Sequence, residues 1–158
     1  MTFSAEGLAP KNRPQELSAA GESEEKRATA VIARLKQSLL GWVEPLGLGV
    51  VLDRGGCNAT APDLAFLAMN RLRNAPFRLG LPVPDLVVKV ESAPSQREAL
   101  TRQIQSWLDR GVVVCLLVET WAKTVSIFRE GQVVTLGLEE VLSLPEILPG
   151  WEWKLAAL

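Results

Sequence analysis

The chain has 158 residues, 47% of them hydrophobic and 22% charged, with a formal net charge of −1. That is the length and apolar content of one domain with its own core, and too neutral a surface for indiscriminate nucleic-acid binding. Histidine and tyrosine are both absent, which excludes Ser-His-Asp, Cys-His and His-ligated zinc chemistry and leaves carboxylates, lysines, hydroxyls or a metal held by oxygen ligands.

Residues 1–22 are rich in Ala, Glu, Ser, Gly and Pro without apolar periodicity and read as a flexible lead-in to a domain over 23–158. They lack the apolar segment of a signal peptide, and no apolar run reaches the roughly 18 residues of a membrane span, so a cytoplasmic protein with no membrane partner is expected. Cys57 and Cys115 are too few for a disulfide framework. A helix is predicted from Ser23, a good N-cap, to Leu40, with Gly41 closing it and Val31, Ile32, Leu35 and Leu39 on one face. Two short strands follow, Gly47–Asp53 and Asp63–Leu67, then a helical turn over 69–74 and a proline-containing loop from Arg78 to Pro84. Leu86–Val90 is a β-branched run suited to a strand buried on both faces. Ser95 with Glu98 has capping-box spacing and starts a second helix that runs to Arg110, before Gly111. Val112–Val118 reads as the central strand. Thr124–Arg129 and Gln132–Leu136 form a hairpin around Glu130-Gly131 with one wet face, and a short helix is expected near Leu138–Leu142. The order implies an α/β fold, a mixed central sheet flanked by helices with a C-terminal hairpin.

Two Pro-Asp pairs mark the candidate chemistry. Asp63 opens PDLAF and Asp85 opens PDLVVKVE. Alternation along the second strand puts Asp85, Val87, Lys89 and Glu91 on one face, with Lys89 and Glu91 about 7 Å apart. If the strands adjoin, Asp63 stands beside them. Two carboxylates and a lysine on adjoining strands suit a Mg²⁺ site for phosphodiester hydrolysis, the carboxylates holding the hard cation and the lysine positioning water. The alternatives are a strand-starting aspartate and a surface Lys-x-Glu ion pair. Between residues 71 and 110 seven basic residues stand against four acidic ones, either a DNA-facing patch or a scatter of solvated arginines.

The succession PDLAF, PDLVVKVESAPS, a helix ending in Trp107-Leu108-Asp109-Arg110-Gly111-Val112, then CLLVET, TVSIFREG and LPGWEW resembles the family of putative restriction endonucleases abundant in cyanobacteria, within the PD-(D/E)XK nuclease superfamily. The resemblance spans about residues 24 to 155. It implies a restriction-endonuclease-like core and places the family's first metal-binding aspartate on Asp63. The acid of the family's Glu-x-Lys strand motif falls on Lys89, the position two residues later on Glu91, and the lysine of the following helix on Gln103; Asp85, Ser92 and Ser95 match.

An ammonium in a metal-ligating position opposes cation binding. At about 5 Å and an effective dielectric near 20, one positive charge repels Mg²⁺ by roughly 7 kcal/mol before screening. Glu91 can restore the site if it takes the metal while Lys89 takes the lysine's task. The resulting expectation is a Mg²⁺- or Mn²⁺-dependent endonuclease acting on DNA, with Asp63 and Glu91 as ligands, Lys89 catalytic, and Asp85 and Gln103 supporting. The alternative is a catalytically inactive nuclease-fold protein serving as a binding or assembly module. A homodimer stays open as its assembly.

Overall fold

The computed structural model describes residues 25–53, 62–74, 83–93 and 97–158. The lead-in 1–22, Ser95 and Cys57 lie outside them. Helix α1 covers 25–46 and is followed by β1 (Gly49–Asp53), β2 (Leu64–Ala68), α2 (Met69–Asn74), β3 (Leu86–Glu91), α3 (Arg97–Asp109), β4 (Val114–Glu119), β5 (Thr124–Arg129), β6 (Gln132–Leu136), β7 (Val141–Leu144) and β8 (Leu148–Lys154). Strands β1 to β6 form one sheet in chain order, and β7–β8 form a separate hairpin. Every pairing in the large sheet is antiparallel except β3–β4, which run parallel through α3. A parallel pair needs such a crossover, and the helix supplies it. The sheet is therefore mixed and flanked by helices, as predicted.

Strand alternation divides the core into two layers. Leu64, Phe66, Leu86, Val88, Leu116 and Val118 join Val31, Leu35, Leu39 and Val43 of α1 and the apolar residues of β7 and β8. On the opposite side Val87, Cys115 and Leu117 pack with Leu100, Ile104 and Trp107 of α3. Strand β4 is buried at every position, the mark of a central strand covered on both faces. Burial in that layer pushes the Cys115 thiol up to about 12, so it acts as a small hydrophobe.

Three expectations are corrected. Helix α1 runs past Gly41, because Val43 continues the stripe of Leu35 and Leu39 and has more to bury than Gly41 costs. It ends at Gly47, whose φ of 62° permits a Schellman close: Leu48 N–H donates to Val43 O at 3.0 Å and Gly47 N–H to Glu44 O at 3.1 Å. The segment expected as a helix near Leu138–Leu142 is a turn leading into β7, where Leu142 and Leu144 are buried and their neighbours exposed, a period of two. Strand β6 is exposed along nearly its whole length rather than on one face, because it is the sheet's last strand and neither helix covers it. The C-terminal tryptophans pack as structural residues: Trp151 and Trp153 are buried, Trp151 donates to Ser38 Oγ at 3.1 Å, and Trp42 of α1 donates to Pro149 O at 3.2 Å.

Candidate active site

The two Pro-Asp pairs are one structural device used twice. β2 and β3 are antiparallel, and each is preceded by an aspartate that follows a proline with no N–H for the ladder. Asp63 N–H donates to Val88 O at 2.8 Å while its Oδ2 accepts Val90 N–H at 2.6 Å. Asp85 N–H donates to Phe66 O at 2.9 Å while its Oδ1 accepts Ala68 N–H at 2.8 Å. In each case the carboxylate satisfies the partner-strand amide two residues beyond the carbonyl its own amide uses. The two aspartates thus cap opposite ends of one strand pair, and only Asp63 stands at the Lys89–Glu91 end.

Their surroundings differ. Asp85 faces Arg71, whose Nε lies 3.2 Å from its Oδ2. The same guanidinium donates to Val83 O, Pro84 O and Gly111 O at 3.0, 3.2 and 3.0 Å. Asp85 also accepts Val113 and Val114 N–H on its backbone oxygen, both at 3.0 Å. This end joins β2, β3, the start of β4 and two loops, and every group in it is engaged in holding them.

At the other end the Lys89 ammonium lies 3.9 Å from Asp63 Oδ2, with both side chains largely buried. Burial raises the Asp63 pKa above the ordinary carboxylate value; the Val90 amide and Lys89 pull it down, and the nearby Asp53 carboxylate pushes it up again. Asp53, the last residue of β1, is held by Lys36 of α1 at 3.2 Å. Lys36, Asp53, Asp63, Val90 and Ser92 border a cleft of about 610 Å³ between the first half of α1 and this edge of the sheet. Asp53 was not predicted as a site residue. It stands in no motif, and only the β1–β2 register, which sets it opposite Leu64, brings it next to Asp63.

Glu91 ends β3 and is 5% exposed. It shares a side of β3 with Lys89 and Val87, the side that α3 covers. In the parallel β3–β4 pair it is in register with Glu119, which is 2% exposed and paired to Arg97 of α3 at 2.7 Å. Glu119 was also missed, and Arg97 stood only among the basic residues between 71 and 110. The sequence signal was the acid that closes each of two apolar runs, VVKVE and CLLVE. Gln103 is half-buried on α3, three residues after Leu100 and four before Trp107. The structure therefore gathers Asp63, Lys89 and Glu91 at one end of the sheet and sends Asp85 to the other.

Among the described residues no group of three or more acidic, Cys or His side chains is close enough to hold a metal ion. A Mg²⁺ ion requires less than that. It is commonly held by one or two carboxylates plus substrate phosphates and water. The donors at this end are of that type, the buried carboxylates of Asp63 and Glu91, with the Lys89 ammonium 3.9 Å from Asp63 as a competing cation.

A parallel βαβ crossover set into an antiparallel sheet, with acids and an amine collected at one strand end, defines a nuclease-like α/β protein. A family model described as Uma2, putative restriction endonuclease, matches residues 13–157, and the chain belongs to that family. Its fold is similar to the crystal structure of a putative nuclease belonging to DUF820 from Anabaena variabilis, with a TM-score of 0.70 over 83% of this chain and 79% of that one, at 16% identity. No curated protein matches the chain. Among the described residues no helix is long and apolar enough to cross a membrane.

Proposed function

We propose that this protein is a metal-assisted nuclease that hydrolyses phosphodiester bonds of DNA at the Asp63–Lys89–Glu91 end of the β2–β3 pair. The observation that carries the reading is the Lys89 ammonium 3.9 Å from the buried Asp63 carboxylate, with the buried Glu91 two residues on along the same strand, in a nuclease-family fold. Asp63 and Glu91 would hold Mg²⁺ or Mn²⁺, which when bound supplies an acidified water and neutralises phosphate charge. Lys89 offers a fixed positive charge to a phosphoryl oxygen and a proton to the leaving alkoxide. The Val90 amide fixes the orientation of Asp63, leaving Oδ1 on the side away from that bond. Asp53 adds a carboxylate to the same cleft, paired there with Lys36.

The expected result is nicking of supercoiled plasmid that depends on added Mg²⁺ or Mn²⁺, reduced at least about 100-fold in Asp63→Ala and in Lys89→Ala. Equal rates for wild type and Asp63→Ala would remove this reading.

One observation favours a second reading, a catalytically inactive binding or assembly module. Lys89 stands where the family's motif has an acid, and its ammonium already lies beside Asp63. Calorimetry separates the two. The module binds neither Mg²⁺ nor Mn²⁺, whereas the nuclease shows a site that Asp63→Ala abolishes.

A further inference from the structure

Among the described residues, the basic side chains between 71 and 110 do not behave as one patch. Arg71 is consumed by three carbonyls and Asp85, and Lys89 lies inside the site. Arg97 is different. Its Nη1 is fixed at 2.7 Å by Glu119, a carboxylate 2% exposed, while its own side chain remains 53% exposed. A guanidinium has five N–H donors, so one bond to a buried acid orients the fork and leaves the rest of it facing solvent. Fixing it in advance removes much of the side-chain entropy that binding would otherwise cost.

Arg102, exposed on the same helix, lies five residues on, about 7.5 Å along the axis. With Glu98 and Thr101 the two arginines line an open depression of about 450 Å³. The Thr101 hydroxyl donates back to Arg97 O at 2.8 Å, which leaves the arginines as the groups able to grip an anion. The depression adjoins the candidate site, because Glu119, the anchor of Arg97, is in register with Glu91 on the next strand. Two arginines that line one open depression can engage neighbouring phosphates of a single chain. Glu98 works against them.

We propose that Arg97 and Arg102 form a backbone-binding subsite for a DNA strand, which leads successive phosphates along the first turns of α3 toward Lys89 and Glu91. The choice of DNA rests on the nuclease reading; the subsite itself is measured without catalysis. The experiment is fluorescence anisotropy of a fluorescein-labelled duplex of about 20 base pairs in EDTA, between about 50 and 200 mM KCl. Arg102→Ala should weaken binding about three- to tenfold and lower the log–log salt slope by about 1. Glu98→Gln should tighten it about two- to fivefold, the opposite sign. Arg97→Ala strands the buried Glu119, so Arg97→Ala is paired with Arg97→Ala/Glu119→Gln, whose thermal midpoint should match wild type while binding stays weakened. Wild type that fails to bind the duplex overturns the subsite. So does Arg102→Ala or Glu98→Gln indistinguishable from wild type, or displacement of the duplex by low-millimolar inorganic phosphate, which marks a single-anion site. If this binding pattern holds and wild type still fails to nick plasmid, the nuclease reading falls and the subsite stands.

Discussion

Asp63 and Asp85 share a local sequence, a strand position and a pair of backbone hydrogen bonds, yet they sit in opposite electrostatic settings. Asp85 meets a guanidinium that is itself bonded to three carbonyls, so each charge and dipole there has a partner at hydrogen-bond distance. Asp63 meets an ammonium at 3.9 Å and an acidic neighbour in Asp53, and its pKa is raised. One end of the strand pair is built to hold, and the other keeps an acid in a state it would leave if a proton or cation arrived. Proteins place such incompletely compensated groups where they bind and react, at a cost in stability.

The largest expected effect lies at the holding end. Asp85→Ala removes the acceptor of Ala68 N–H and strands Arg71, and should cost about 3 kcal/mol in urea unfolding. A loss under about 1 kcal/mol would erase the contrast, because Asp85 would then be as dispensable as a surface charge.

That contrast could not have been read from the sequence, where PDLAF and PDLVV look alike. The mixed sheet and the central place of β4 were legible, the latter because a fully apolar run such as VCLLV is stable only when covered on both sides. The end of α1 was not, since Gly41 and Gly47 are equal as stop signals until the burial of Val43 decides between them. β7 was missed because VLSL is too short for its period to be told from a helical one. At the site, Lys89 and Glu91 follow from alternation along one strand. Glu119 left one local trace, the acid that closes CLLVE, but its pairing with Arg97 and the approach of Asp53 to Asp63 depend on registers and on a helix placement that no local pattern encodes. The role of Arg71 was equally hidden, since nothing in MNRLRN sets Arg71 apart from Arg73 or signals that it bonds to residues up to forty positions away.

The next effect has the opposite sign. Asp63→Asn keeps an oxygen for Val90 N–H and removes the buried charge. Because the folded-state pKa is raised, the wild-type carboxyl contributes stability that is complete below its unfolded value and is lost as pH rises through the folded one. Relative to wild type, Asp63→Asn should therefore gain as pH rises from about 4 to 7, ending about 0.5–2 kcal/mol more stable in the range seen when strained functional sites are relaxed. Unfolding curves at the two pH values measure it. A variant that loses stability as pH rises would show Asp63 to be a favourable ion-pair member, like Asp85.

The smallest effect tests the comparison directly, because it asks how much each cation contributes through its acid. Double-mutant cycles isolate that quantity from the cost of losing either side chain alone. The cycle Arg71→Met with Asp85→Asn should give a coupling of about 2 kcal/mol, as expected for a charge-assisted pair held by further hydrogen bonds. The cycle Lys89→Met with Asp63→Asn should give about 0.5 kcal/mol at neutral pH, since at 3.9 Å the ammonium is at the edge of contact. Lys89→Met alone takes away a charge that lowers the Asp63 pKa, so its small loss of stability should grow as pH rises. Weak coupling leaves Asp63 free to exchange the ammonium for a metal or a substrate proton. Equal coupling in the two cycles would mean that Lys89 and Asp63 form a structural ion pair, and the module reading would then take the place of the nuclease.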